Sequence, residues 1–160
     1  MTEAELESTA NDPVVQLVTF LLQDEIYGVN VMQVQEVLRV SDIAPVPGAP
    51  SYVLGIINLR GNVVTVIDTR SRFGLVAGEI SQSSRIVIIE AEKQVVGILV
   101  DSVAEVIDIH ISEVESAPNV GNQENSKYIQ GVATVNGRLL ILVDLNKLLT
   151  DDEWVEVGGV

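Results

Sequence analysis

Two aspartates at matching places in the chain are the first candidates for chemistry. Asp68 and Asp144 each follow an apolar run that has the length of a buried strand. Two carboxylates that share one proton can activate water, as they do in aspartic proteases, so one hypothesis is a small β-rich hydrolase. That enzyme class needs an Asp-Thr-Gly or Asp-Ser-Gly turn, whereas Arg70 and Asn146 stand at the glycine positions. The alternative is that each aspartate caps a helical turn after its strand.

Other residues that carry chemistry are scarce. The chain has no cysteine and a single histidine, His110, which excludes thiol nucleophiles and metal sites built on cysteine. Neither a Gly-x-Ser-x-Gly elbow nor a glycine-rich phosphate loop occurs in the sequence, so serine hydrolases and nucleotide enzymes lack their usual motifs. The sequence therefore predicts no catalytic residue, no metal site and no cofactor, in a protein that is not an enzyme.

β-Branched residues mark the strands that must position any functional side chain. Valine and isoleucine contribute 28 and 15 of the 160 residues, and both types favour pleated sheets over helices. The predicted fold is mainly β, with short helices near residues 31–34 and after Asp68 and Asp144. The predicted strands cover residues 14–22, 26–31, 52–58, 63–67, 85–89, 95–100, 128–135 and 139–143.

The charge of the chain limits the partners that its surface can attract. It has 9 basic and 23 acidic residues and a net charge of −14, so it repels nucleic acid and anionic lipid. Direct membrane insertion is not expected, because no apolar run approaches the roughly 20 residues that span a bilayer. Acidic residues dominate both ends, which predicts an acidic flexible tail at 1–13 and an acidic C-terminal tail at 151–160.

An internal repeat organises the rest of the chain. Residues 26–38 align with 95–107, and four residues recur 76 positions later, namely Tyr52, Gly55, Gly61 and Asp68. A duplicated unit must form the same turns and core contacts twice. We therefore predict two β subdomains, at about 24–74 and 84–150, which fold as one unit around a shared core. The strand at 14–23 belongs to one subdomain or is shared, and residues 75–84 form a flexible connection.

The two repeats differ in their basic residues. Four arginines of the first repeat align with non-basic residues of the second: Arg39 with Asp108, Arg60 with Asn136, Arg70 with Asn146, and Arg72 with Leu148. Shared residues report the common fold, so these differences predict contacts with a partner protein. The alternative is internal ion pairing, which for Arg60 would involve Glu36.

Several segments carry a resemblance to a known family. They include the Gly-Val-Asn-Val start of 28–37, the Gly-Ile-Ile-Asn-Leu-Arg-Gly stretch at 55–61 and the Val-Ile-Asp-Thr-Arg stretch at 66–70. With 95–101 and 131–149, they resemble the CheW family of bacterial chemotaxis coupling proteins. The resemblance implies a CheW-like domain at 14–150, made of two five-stranded SH3-like β-barrel subdomains that share a hydrophobic core.

The resemblance also implies a function. Such a protein is a non-enzymatic adaptor that couples methyl-accepting chemoreceptors to the CheA histidine kinase, by contacting the receptor's cytoplasmic tip and the kinase regulatory domain. It would be cytoplasmic and recruited to membrane-associated receptor arrays. The alternatives are the small hydrolase that uses Asp68 and Asp144, and a ligand-binding β module unrelated to signalling.

Residue by residue, the resemblance implies two sets of contacts. The receptor-contacting positions, expected around a groove between the subdomains, match Val34, Glu36, Gly55, Arg60 and Val106. One kinase contact is implied on each subdomain. On the second subdomain it matches the loop of 115–120, where the family often has a basic residue and an aromatic residue. At those two places this chain has Glu115 and Val120.

Overall fold

The computed structural model describes residues 12–76, 78–116 and 127–158, and it confirms a mainly β fold with short helices. The strands are β1 (Val14–Leu22), β2 (Glu25–Asn30), β3 (Val34–Arg39), β4 (Val53–Leu59), β5 (Asn62–Asp68), β6 (Arg85–Ala91), β7 (Gln94–Val100), β8 (Ser102–His110), β9 (Ile129–Val135) and β10 (Arg138–Val143). The helices are α1 (Thr69–Arg72) and α2 (Asp151–Gly158), with 3₁₀ turns at Val31–Gln33, Ile111–Glu113 and Leu145–Lys147.

The strands form two five-stranded sheets with the same internal arrangement. Sheet one has the order β8-β1-β2-β10-β9, and sheet two has the order β3-β6-β7-β5-β4. Each contains one parallel pair, β2 with β10 and β7 with β5, among antiparallel neighbours. The strands of the two sheets correspond one to one: β1 to β6, β2 to β7, β8 to β3, β9 to β4 and β10 to β5. Corresponding strands occupy the same place in the two orders. The repeat found in the sequence is therefore also present in the three-dimensional structure.

The sheets do not coincide with the predicted subdomains at 24–74 and 84–150. Sheet two consists of β3 to β7, which is one continuous stretch, whereas sheet one combines β1 and β2 with β8 to β10. The strand predicted at 14–23 is β1, which lies between β2 and β8 inside sheet one. Aligning the two repeats shows which residues are equivalent, but it does not show whether a strand pairs within its own repeat or with the other one. For this reason the predicted subdomain boundaries differ from the sheets.

One hydrophobic core lies between the sheets, which confirms the predicted shared core. It contains Phe20 and Val29 from sheet one and Ile67, Ile89 and Ile98 from sheet two, all fully buried. Two smaller clusters lie within the individual sheets, around Leu140 in sheet one and around Ile86 in sheet two. Each sheet therefore curls over its own small core and also contributes its other face to the common core.

The C-terminal segment is not a free tail over the residues described. Residues 151–158 form α2, whose Trp154 and Val157 are buried in the shared core. Arg72 binds Glu153 through two hydrogen bonds of 2.8 and 2.6 Å and donates a third, of 2.8 Å, to the Leu148 carbonyl. The prediction of a tail was wrong here because two apolar residues at helical spacing are enough to dock an otherwise acidic helix.

The predicted N-terminal tail at 1–13 falls mostly outside the described residues, which begin at Asp12. Asp12 accepts hydrogen bonds from the Ser112 amide at 2.9 Å and the Ser112 hydroxyl at 2.8 Å. These bonds hold the pKa of Asp12 below its usual value. In the part of the chain that is described, no helix is long and apolar enough to cross a bilayer.

Candidate functional site

The turn between β4 and β5 places an arginine where the backbone is left-handed. Arg60 and Gly61 have φ of 51° and 88°, and their counterparts in sheet one, Asn136 and Gly137, have φ of 52° and 79°. Two-residue hairpin turns of this kind prefer Asn-Gly, because a left-handed backbone is unfavourable for most other side chains. Sheet one has the preferred pair. Sheet two instead has an arginine at a conformational cost.

Arg60 forms an ion pair with Glu36 of β3. Its Nη1 lies 3.3 Å from Oε1 of Glu36, and its Nη2 makes a shorter contact with Oε2. The hydrogen bond from Arg60, helped by the guanidinium charge, lowers the pKa of Glu36 against the opposing effect of burial. The Arg60 side chain stays 70% exposed, compared with 27% for Glu36. The guanidinium is thus oriented by Glu36 and remains accessible to a partner.

Val34 lies two residues before Glu36, next to a bulge in the pairing of β3 with β6. The register shifts between Val34 and Glu36, so that Val34 packs against the shared core while Leu38 packs against the cluster within sheet two. β3 is an edge strand of sheet two. Val34 and Glu36 therefore lie close together on an edge strand of sheet two.

Gly55 is buried on β4 beneath the segment around Ala44. The Ala44 amide donates to the Ile56 carbonyl at 2.9 Å, and the Ile56 amide donates back at 2.8 Å. A Cβ at Gly55 would overlap the Ala44 carbonyl oxygen, and one at Gly131 would lie 2.8 Å from the Glu115 carbonyl oxygen. Since both repeats need a glycine here, Gly55 has a structural role that shapes the surface near the site.

Of the remaining predicted residues, Val106 and Glu115 lie in or beside sheet one. Val106 is 55% exposed on β8, an edge strand of sheet one, where it pairs with Val18. Glu115 is exposed and pairs through its backbone with Val132. Val120 lies outside the described residues. The structure therefore brings Glu36 and Arg60 into contact and places Val34 beside them, whereas Val106 belongs to a different sheet.

Arg70 and Arg72 form internal ion pairs, which was the alternative considered for these arginines. Arg70 donates from Nε to Asp101 at 2.9 Å and from Nη1 to the Val76 carbonyl at 3.1 Å. Burial alone would raise the pKa of Asp101, but hydrogen bonds from Arg70 and from the Gln23 amide, with the guanidinium charge, lower it.

Residues 75–84 were predicted as a flexible connection, but the hydrogen bond from Arg70 to the Val76 carbonyl holds this segment at Val76. Sequence reasoning missed Asp101 and Glu153, since neither stands near its arginine in the chain.

Asp68 and Asp144 cap helical turns rather than forming a carboxylate pair. Asp68 accepts from the Ser71 amide at 3.3 Å, and Asp144 accepts from the Asn146 amide at 3.0 Å. Asp68 is the last residue of β5 in sheet two, whereas Asp144 follows β10 in sheet one, and the two line different grooves. The geometry gives no support to the hydrolase alternative.

Comparisons with known proteins agree on one family. The family model described as CheW-like domain matches residues 16–153. The chemotaxis protein CheW of Treponema pallidum is 37% identical over 154 residues, which cover 94% of this chain and 91% of that protein. The chemotaxis protein CheW of Bacillus subtilis is 36% identical, with 84% of this chain and 86% of that protein covered. The crystal structure of the scaffolding protein TtCheW from Thermoanaerobacter tengcongensis matches with a TM-score of 0.78 and 35% identity, covering 85% of this chain and 88% of that one.

Proposed function

The chain belongs to the CheW-like family, and from this membership we infer that it is a chemotaxis scaffold that couples chemoreceptors to the CheA histidine kinase without catalysing a reaction. The observation that carries this conclusion is the extent of the match. It includes strands of both sheets and α2's first residues, and the related solved structure is itself described as a scaffolding protein. The ion-paired but exposed Arg60 provides a surface suited to protein contact.

We propose that the cytoplasmic tip of a methyl-accepting chemoreceptor binds at the pair formed by Glu36 and Arg60. An arginine held by one carboxylate keeps its remaining donors directed outward, and such a group suits an acidic or carbonyl-rich partner surface. The repeat supports this assignment, because Asn136 of sheet one occupies the equivalent left-handed turn position without a charge. Val34 would extend this surface along β3, and Gly55 would shape it from beneath. Val106 would belong to a separate part of the receptor contact, on sheet one.

A second contact would join the chain to the kinase regulatory domain, near Glu115 and Val120. Glu115 is exposed and held by a backbone bridge to Val132, which makes it available to a partner. Binding to receptors would recruit the protein from the cytoplasm to membrane-associated arrays. Both statements extend the family role to particular surfaces and to a particular place in the cell.

A binding assay with a purified receptor tip and a purified kinase regulatory domain tests the proposed contacts. We expect the wild-type chain to bind both, and Arg60→Glu to weaken receptor binding by roughly tenfold or more while leaving the fold intact. Arg138→Glu is a matched control, because it makes the same charge change in the equivalent hairpin of sheet one, where Arg138 bonds the Asp24 carbonyl.

Two results would count against the proposal. If Arg60→Glu bound the receptor tip as well as the wild type, the receptor contact would lie elsewhere. If the wild-type chain bound neither protein, the scaffold role itself would be wrong for this chain.

A further inference from the structure

Sheet two contains two further arginines, Arg39, which is exposed, and Arg85, which is half-buried. Arg39 of β3 lies directly opposite Arg85 of β6 in the antiparallel register. Like charges in directly opposite positions destabilise a sheet. The equivalent positions in sheet one are Asp108 and Gln16, which are also directly opposite each other. The fold therefore forms without cations at this place, and the two arginines need another explanation.

Neither arginine has an anionic partner within the described residues. The ion pairs found there involve Arg60, Arg70, Arg72 and His110. Arg85 donates from Nη1 to the carbonyls of Gln82 at 2.7 Å and Ser84 at 2.8 Å, both of which are neutral. Arg138 and the lysines also have no ion pair among the described residues, so what distinguishes Arg39 and Arg85 is that two cations lie directly opposite each other. Most of their hydrogen-bond donors remain available.

The two arginines line an open groove that also has an apolar wall. The other lining residues are Val40, Ile80, Ser81, Gln82 and Ser84. Ile80 is 52% exposed, so its apolar surface is accessible beside the guanidinium groups. The bonds from Arg85 to the neighbouring carbonyls hold its side chain at the groove wall. The groove thus combines paired cations, hydroxyl groups and apolar contact area.

We propose that this groove binds a short acidic segment of a partner protein, in which a carboxylate stands next to an apolar side chain. The carboxylate would accept hydrogen bonds from Arg39 and Arg85, which suit carboxylate oxygens in bidentate geometry. The apolar neighbour would cover Val40 and Ile80. A free inorganic anion would use the arginines but leave this wall uncovered, which is why a peptide fits the groove better. The proposal does not depend on the adaptor role.

The test is a titration of the isotope-labelled full chain, followed by the amide and arginine Nε–H signals in NMR spectra. The probe is a capped peptide of sequence Glu-Leu-Asp-Glu-Leu-Asp, compared with its uncharged counterpart Gln-Leu-Asn-Gln-Leu-Asn and with inorganic phosphate. We expect the acidic peptide to shift the signals of Arg39, Arg85 and Ile80. Arg39→Gln should weaken its binding by about tenfold, the loss expected for one charge-assisted hydrogen bond.

Arg138→Gln is the matched control, since it removes one positive charge from the other sheet. Unchanged binding in Arg138→Gln together with the loss in Arg39→Gln would support the proposal. Equal losses in the two variants would overturn it, because they would indicate attraction by overall charge alone. Binding of the uncharged peptide as tightly as the acidic one would also overturn it. So would phosphate shifting the arginine signals when the acidic peptide does not, since the groove would then be a small-anion site.

Discussion

The two hairpins β4–β5 and β9–β10 form the same left-handed two-residue turn with different residues. Both turns have two residues with positive φ, and each is followed by a strand that lies second from the edge of its sheet. The hairpin of sheet one uses Asn-Gly, whereas that of sheet two uses Arg-Gly and pairs the arginine with Glu36. The repeat thus provides an internal control. What both hairpins share is required by the fold, and what only one has is a candidate for function.

The largest effect is expected where the two sheets are alike. Gly55→Val and Gly131→Val should each lower the free energy of unfolding by about 3 kcal/mol, because the new side chain collides with the backbone segment that bonds across each glycine. Urea unfolding followed by circular dichroism measures this. A large loss for Gly131→Val and none for Gly55→Val would mean that Gly55 serves only the contact surface.

A smaller effect is expected at the anchor of α2, which has no counterpart in sheet one because Leu148 takes the place of Arg72. Glu153 accepts from Arg72 and from the Thr150 amide at 2.8 Å. Glu153→Gln should therefore cost about 2 kcal/mol of unfolding free energy, between the values typical of exposed and buried ion pairs. Asp152→Asn, on the exposed face of the same helix, is the control and should cost much less.

The contribution of Glu153 should depend on pH. Burial would raise the pKa of Glu153, but the bonds from Thr150 and Arg72 outweigh it and hold the pKa below its ordinary value. The stabilisation is then complete above the unfolded glutamate pKa of about 4.3 and is lost as the pH falls through the lower folded value. Wild type and Glu153→Gln should converge in stability on acidification. A gap that stayed constant down to pH ~3 would contradict this account.

The smallest effect on stability, and the sharpest test of the comparison, is expected at the turn itself. Arg60→Asn gives sheet two the turn of sheet one, so it should leave the melting temperature unchanged or slightly higher although the ion pair with Glu36 is lost. Receptor-tip binding should still fall by roughly tenfold. The reciprocal Asn136→Arg should lower the melting temperature slightly and add no receptor binding. A marked loss of stability in Arg60→Asn would show that the pair with Glu36 mainly supports the fold.

The strands that sequence reasoning found and missed differ in their position in the sheets. Inner strands such as β1, β6 and β7 are mostly apolar, and the predictions for them agree with the structure to within two residues. β3 and β8 were missed. They are equivalent edge strands, each with charged residues such as Glu36 and Asp108, and bulges interrupt their pairing. Half-buried and exposed positions still alternate along β3, but polar residues such as Gln35 and Glu36 interrupt the apolar runs from which the strands were predicted.

The site was predictable to a similar degree. The repeat singled out Arg60 because Asn136 stands in its place, and the pairing with Glu36 was one of the two alternatives considered. The partners of Arg70 and Arg72 were not predictable, because Asp101 is brought to Arg70 by the parallel pairing of β5 with β7, and Glu153 is brought to Arg72 by the docking of α2. Contacts of that kind depend on tertiary structure and leave no local pattern in the sequence.

Sheet two is formed by one continuous part of the chain, and the strands of sheet one come before and after it. This order affects how the protein folds during synthesis on the ribosome. All strands of sheet two have emerged once β7 is complete, so that sheet can form while the chain is still growing. β2 must wait for β10, since Ile26 pairs with Leu140. At about 5–20 residues per second, the delay is roughly 6–20 seconds. During that time the apolar faces of β1 and β2 lack their final neighbours, and the nascent hairpin is the part of this protein most in need of a chaperone.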